Sequence, residues 1–179
     1  MKPKKILLGV TGGIAAYKTP DLVRRLKSAG ADVTVVMTPE AGHFVTALTL
    51  QTVSGNKVYQ DMFETQDTWD VEHVALAESA DLVLIAPATA NTIAKLAAGL
   101  CDDLLTCVVA ATEAPVVLAP AMNDRMYLNK INQENIARLK KIGYKFIGPD
   151  KGPLACGKIS IGRMCDIDLM SRTVLGYLK

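Results

Sequence analysis

Ile6-Leu7-Leu8-Gly9-Val10-Thr11-Gly12-Gly13-Ile14-Ala15-Ala16-Tyr17-Lys18 reads as a strand that turns sharply into a helix. An apolar run stops at a glycine pair, and a helix-forming stretch follows. Glycines at a strand exit let backbone N–H groups approach an anion such as a phosphate. The helix start that follows adds a favourable dipole, roughly 0.3–1 kcal/mol and up to about 2 when partly buried. A tight turn with no ligand is the plainer reading, and the glycine pair alone does not decide between them.

Outward from this turn, short β-branched runs alternate with longer helical stretches. Lys4–Val10 is a strand, and a helix follows from about Gly13 to Ala29 with Gly30 as its stop. Pro20 either kinks that helix or restarts one, with Thr19 as N-cap. Asp32–Met37 is a second strand, after which Thr38-Pro39-Glu40 opens a helix. Residues 55–72 are the least regular and carry the lone Trp69. Asp81–Ala86 is a third strand with a helix from about Thr89, and Leu104–Ala111 is a buried helix. Pro115–Ala119 is a strand, Asp124–Lys141 a polar amphipathic helix and Tyr144–Ile147 a last strand. Gly148–Met164, with four Gly and two Pro, reads as a mobile flap over 148–164, and Asp166–Lys179 as a terminal helix. Strands apolar on both faces and separated by helices predict an α/β fold: a Rossmann-like, doubly wound parallel sheet in three αβα layers. The whole chain, 1–179, forms one domain on this reading. Ligands of such sheets sit beyond the carboxyl ends of the strands.

Composition agrees. Of 179 residues half are hydrophobic, with mean hydropathy +0.22, so disorder is disfavoured. No apolar run reaches the roughly 18 residues of a membrane span. MKPKKILLGV has the outline of a signal peptide, but the pattern runs straight into a helix and reads as a native strand. A net charge of +2, from 20 basic and 18 acidic residues, leaves no basic patch for nucleic acid. Cys101, Cys107, Cys156 and Cys165 form no Cys-x-x-Cys pair and have two histidines for company. A metal site or disulfide framework is therefore disfavoured, and a reducing cytoplasm is the natural location.

Four strand exits and loops carry candidate chemistry. The first is the opening turn, Gly9-Val10-Thr11-Gly12-Gly13-Ile14-Ala15. The Gly-x-Gly-x-x-Gly spacing of dinucleotide sites is absent, and Met37-Thr38 stands where such a site wants an acid. The Thr38 hydroxyl suits a phosphate instead. The second is Ala86-Pro87-Ala88-Thr89-Ala90-Asn91-Thr92, which can wrap a flat ring or simply cap a helix through Thr89 or Asn91. The third is Pro120-Ala121-Met122-Asn123-Asp124-Arg125-Met126. Asn123 is either an N-cap or an anchor for a carboxylate or amide, and Met126 can pack on an apolar ligand face. The fourth is the flap, Leu154-Ala155-Cys156-Gly157 through Gly162-Arg163-Met164. Cys156 lacks the apolar periodic setting of a buried thiol, whereas Cys101 and Cys107 have one and are assigned to the core. His73 opens a helix; His43 reads as structural.

Together GGIAAYK, the His73-Val74 pair, APATANT, PAMNDRM and LACG…GRM resemble, in order and spacing, the homo-oligomeric flavin-containing cysteine decarboxylases. Within them the likeness is to the branch serving coenzyme A biosynthesis. The resemblance implies a Rossmann-like fold that binds FMN at a subunit interface, in a trimer or a multiple of trimers. It implies Gly13, Ile14, Ala15 and Thr38 near the flavin phosphate and ribityl chain, and Phe44 with Pro87, Ala88, Thr89 and Ala90 by the ring. It implies His73 as catalytic acid or base, Asn123 as anchor of the substrate carboxylate or adjacent amide, and Cys156 as proton donor in a final reduction. The implied reaction takes a small molecule, 4′-phospho-N-pantothenoylcysteine, to 4′-phosphopantetheine. Ser160 stands where the family usually has Gly, so a flap needing positive φ there would be strained.

Three relatives are rivals. Peptidyl-cysteine decarboxylases do not need the reducing cysteine, which LACG supplies here. Flavin prenyltransferases do not fit PAMN and the flap cysteine. Non-catalytic regulatory subunits of phosphatases tend to carry long acidic extensions, which this sequence lacks. In bacteria the domain is often fused to the ligase that makes its substrate; ending after one helix, this chain has the outline of the stand-alone form, as would a truncated one.

Overall fold

The structure is a computed structural model that describes residues 2–63 and 72–178; residues 64–71 of the irregular 55–72 stretch, Trp69 among them, lie outside these. Six strands form one parallel sheet: β1 (Lys5–Val10), β2 (Asp32–Met37), β3 (Val58–Tyr59), β4 (Leu82–Ala88), β5 (Val116–Pro120) and β6 (Lys145–Phe146), in the order β3-β2-β1-β4-β5-β6. β1 pairs in parallel with β2 on one side and β4 on the other. The chain order reverses across β1 and β4, which is the switch point where doubly wound sheets hold their ligands. The short β3 was not expected from the sequence.

Side chains alternate across β1, so Ile6, Leu8 and Val10 join one core and Leu7 the other. The first core packs α1 (Thr19–Ser28), α2 (Ala47–Ser54) and α8 (Ile167–Tyr177) on one face. The second packs α3 (Glu72–Ser79), α4 (Ala90–Ala98), α5 (Leu104–Ala111) and α7 (Lys130–Lys141) on the other. In α1, Leu22, Val23 and Leu26 are fully buried at helical spacing. Each such side chain contributes about 1.5–3 kcal/mol of transfer free energy.

The structure corrects several boundaries. The expected helix over 13–29 is a 3-10 helix, Ile14–Lys18, followed by α1. Pro20 has no N–H to give Ala16 O, and the Thr19 hydroxyl donates to that carbonyl instead at 2.7 Å. Thr19 is thus the first residue of α1 and not its N-cap. After Thr38 a second 3-10 helix, Pro39–His43, precedes α2, which Thr46 caps. The helix expected over 124–141 is two, α6 (Asp124–Leu128) and α7. Asn129 breaks it, its side chain accepting from Ile131 N–H at 3.0 Å.

Residues 148–164 are not an irregular loop. They hold an antiparallel hairpin, β7 (Asp150–Pro153) and β8 (Ile159–Arg163). Gly152 and Pro153 disguise β7, since both are poor strand formers. No described non-glycine residue has positive φ, so Ser160 sits in β8 without the strain considered above. Cys101 is exposed and Cys107 half-buried, not core; Leu104, Leu105, Val108 and Val109 supply the buried face of α5. The buried cysteine is Cys165, its thiol pushed up to about 12 by burial and by nearby Asp150 and Asp166. No helix among the described residues is long and apolar enough to cross a membrane.

Candidate functional site

At the carboxyl ends of β1, β2, β4 and β5, roofed by the hairpin, lies a cavity of about 800 Å3, within the roughly 300–1,000 Å3 typical of small-molecule sites. Thr11 ties two of its walls together. Its hydroxyl donates to Pro87 O at 2.6 Å and accepts from Thr89 N–H at 3.3 Å, joining the exits of β1 and β4. Gly12 lets the first turn pass under the Pro39–His43 segment, for a Cβ there would stand 2.3 Å from Glu40 Cβ. The first-turn N–H groups of Ile14 and Ala15 precede any possible intrahelical acceptor, and both residues line the cavity.

Thr38, at the exit of β2, is buried. Its Oγ1 faces no hydrogen-bond partner among the described residues, and the residue lines the cavity. A buried hydroxyl left this way is unfavourable by about 1–3 kcal/mol unless a ligand or water satisfies it. Thr89 does what its plainer reading proposed. It caps α4, accepting from Thr92 N–H at 3.3 Å, while still lining the cavity. Asn91 lines the cavity but does not cap.

Asn123 does two jobs at once. Its Oδ1 accepts from Arg125 N–H at 2.9 Å and caps α6, while its Nδ2 lies 3.7 Å from Cys156 Sγ. The cap therefore fixes which end of the amide faces the thiol. Cys156 belongs to the hairpin tip, Leu154–Lys158, closed by Leu154 N–H to Lys158 O at 2.8 Å and Gly157 N–H to Leu154 O at 2.9 Å. The hairpin base is held by Met122 N–H donating to Gly162 O at 2.9 Å. Gly162 has φ +130°, and a Cβ would fall 2.2 Å from Met122 O, so only glycine allows this approach. Burial acts to raise the Asp124 carboxyl, but the Ser160 hydroxyl and the Arg125 N–H outweigh it and hold the group below its ordinary value.

Gly13, Ile14, Ala15, Thr38, Thr89, Ala90, Asn123, Met126 and Cys156 all line one cavity. Pro87 and Ala88 are buried at the end of β4 beside it but do not line it. Phe44 is 41% exposed and His73 is half-buried in the first turn of α3; neither lines the cavity of its own chain. Asp103, Lys18 and Arg163 line it without having been singled out. Asp103 is also the N-cap of α5 and pairs with Lys95 at 2.9 Å. Burial pushes its carboxyl up, but Thr106 and Lys95 more than offset this and hold it below the ordinary range. In the sequence Asp103 looks like any helix-capping acid.

The model of the flavoprotein family matches residues 1–179. The chain is 53% identical over 163 residues to the coenzyme A biosynthesis bifunctional protein CoaBC of Vibrio vulnificus (strain YJ016), covering 91% of this chain and 41% of that protein. It therefore spans about two fifths of the length of that relative. Among solved structures it is similar to a cysteine-to-serine mutant of PPC decarboxylase complexed with pantothenoylaminoethenethiol, with 33% identity, TM-score 0.88 and 98% of each chain covered. It is also similar to the FMN binding protein AtHal3, with 34% identity and TM-score 0.84 over 99% of this chain and 97% of that one.

Proposed function

We propose, because this chain belongs to the flavoprotein family, that it decarboxylates 4′-phospho-N-pantothenoylcysteine to 4′-phosphopantetheine with FMN as its cofactor, in coenzyme A biosynthesis. The observation that carries the reading is the convergence of Thr38, Asn123 and Cys156 on one cavity, with Asn123 Nδ2 3.7 Å from the thiol. The similarity to CoaBC and to PPC decarboxylase supports the same substrate.

The residues present fit FMN. The orphaned Thr38 hydroxyl and the first-turn N–H groups at Ile14 and Ala15 offer donors for a phosphate monoester. Ile14, Ala90, Met122 and Met126 offer apolar surface for a ring. When bound, FMN supplies a two-electron acceptor and donor, the electron sink that loss of CO2 from a cysteine carboxylate requires.

The protein's own part is binding and proton handling. The Asn123 amide donates to the substrate carboxylate or adjacent amide and sets it beside Cys156. The Cys156 Sγ holds the proton delivered to carbon in the last step, and Met126 packs along the substrate. The hairpin over 148–164 acts as a flap that excludes water. His73 serves as acid or base at the site of a neighbouring copy, since it lies outside its own chain's cavity. Ile14 and Tyr17, at 56% and 59% exposure on the cavity wall, offer apolar surface for such a copy to cover. Phe44, Pro87 and Ala88 lie by the flavin ring. The assembly is a homotrimer or a multiple of trimers, working in the cytoplasm on a small-molecule substrate.

Purified protein is tested for flavin absorbance and then incubated separately with phosphopantothenoylcysteine and with a peptide ending in cysteine. CO2 release and reduced 4′-phosphopantetheine from the first alone are the expected result. A Cys156→Ser variant should still release CO2 and accumulate the ene-thiol, and His73→Asn should keep flavin without releasing CO2. A yellow protein inert on phosphopantothenoylcysteine would overturn the proposal.

A further inference from the structure

We propose that Lys18 and Arg163 form a binding site for a phosphate monoester at one end of the cavity, and that the monoester it takes is the far end of the substrate. The second half of this inference rests on the decarboxylase reading; the first does not.

Tyr17, Lys18, Arg163 and Met164 line both the main cavity and an adjoining depression of about 360 Å3. Of the other charges lining that depression, Asp166 caps α8, its Oδ1 accepting from Asp168 N–H at 2.9 Å and Leu169 N–H at 3.2 Å, and it joins no ion pair among the described residues. Arg25 binds Asp21 at 3.3 Å and also pairs with Asp168. Lys18 and Arg163 take part in no ion pair among the described residues. Asp150 faces Arg163 across the hairpin ladder, yet its Oδ2 accepts from Asp166 N–H at 3.2 Å instead.

Arg163 is also built into place. A Cβ on Gly152 would come within 3.1–3.2 Å of Arg163 Nη1, Cδ and Nε, so the side chain lies across the one position in β7 that leaves it room. Its Nε is buried and has no acceptor among the described residues. A buried guanidinium N–H is seldom left without an acceptor, and none comes from the described chain. The planar fork of Arg suits phosphate oxygens and Lys adds a point charge. Two cations match the charge of about −1.5 to −2 that a phosphate monoester carries at neutral pH.

FMN and the proposed substrate both carry such a group. Lys18 lies four residues beyond Ile14, about 8 Å along a 3-10 helix at its roughly 2.0 Å rise, so it is a different end of the cavity from the donors assigned to FMN. Arg163 belongs to the same hairpin as Cys156, the element that closes over substrate. Both points assign the pair to the substrate's phosphate.

The test uses flavin-loaded protein and its variants Lys18→Met, Arg163→Met and Gly152→Ala. Calorimetry compares 4′-phosphopantetheine with pantetheine, and absorbance reports flavin occupancy. The wild type should prefer the phosphorylated ligand. Each Met variant should lose about 10- to 150-fold for it, the range of a charge-assisted hydrogen bond. Pantetheine binding and flavin content, which also report correct folding, should stay within about twofold. Gly152→Ala should erode the same preference by displacing Arg163 with its charge intact. Loss of flavin with the ligand preference retained would assign the cations to FMN and overturn the substrate assignment. A wild type with no preference between the two ligands would overturn the site itself. A preference for phosphopantetheine without CO2 release from phosphopantothenoylcysteine would sink the decarboxylase reading and leave the monoester site standing.

Discussion

Replacing Thr38 by Val deletes one hydroxyl and keeps the branched shape, and it should act with opposite signs on the empty and the loaded protein. Thr38 is 6% exposed and its Oγ1 has no partner among the described residues. In flavin-free protein the substitution removes an unsatisfied buried group, so stability should rise by about 1–3 kcal/mol. In the presence of FMN the same hydroxyl is proposed to donate to a charged phosphate, worth about 1.5–3 kcal/mol, so FMN should bind about 10- to 150-fold more weakly. Riboflavin, which lacks the phosphate, should bind the variant and the wild type alike. Urea unfolding of the flavin-free forms and quenching of flavin fluorescence on titration read the two effects separately. General damage to the fold would lower both quantities together. A flavin-free variant less stable than wild type, or an FMN affinity unchanged within about twofold, would refute the argument from the orphaned hydroxyl.

Other expectations follow from the hairpin and the charges. Gly162→Ala forces a side chain at φ +130° against Met122 O and threatens the Met122 N–H bond to Gly162 O; strain and lost bond together should cost about 2–4 kcal/mol. Urea unfolding measures that loss, and Cys156 should alkylate faster as the flap lifts; an unchanged midpoint and rate would remove the hairpin base from the argument. The depressed Asp103 carboxyl implies stabilisation that is complete above its ordinary value of 3.8 and lost as pH falls below it. Asp103→Asn should therefore flatten the acid limb of the stability profile, and an acid limb as steep as the wild type's would contradict the assignment. Iodoacetamide near pH 8 should label exposed Cys101 and Cys156 but spare Cys165, whose thiol titrates at about 12; mass spectrometry finding Cys165 modified in folded protein would count against its burial.

The sheet was legible because β1, β2, β4 and β5 are continuous apolar runs, and period alone separates them from amphipathic helices such as α1. β3 has two residues, too few for any pattern to register. The hairpin was missed because its ladder runs through Gly152 and Pro153, residues whose local preference is for loops. The helix breaks at Thr19 and Asn129 depend on local side-chain bonds, Thr19 donating to Ala16 O and Asn129 accepting from Ile131 N–H, which propensity does not carry. Nine site residues drawn from motifs do meet in one cavity. Lys18 and Arg163 sat inside quoted motifs without a role, for a surface cation and a ligand-facing one look identical until their neighbours are known. His73 shows the complementary limit: it does not line the cavity of its own chain, and a role across an interface, as proposed for it, would leave no trace there.

The divided use of Asn123 sets the polarity of the site through backbone folding. With the oxygen committed to the start of α6, the amide cannot rotate to offer an acceptor to the cavity without uncapping a helix. The protein thus presents a hydrogen-bond donor beside its thiol before any ligand arrives, and an anionic group gains where a cationic one does not. Replacement by Asp would keep the cap and reverse the sign, turning a recognition element into a repulsive one at no expense to the fold. Selectivity at this position is inherited from helix initiation, and it holds as long as α6 does.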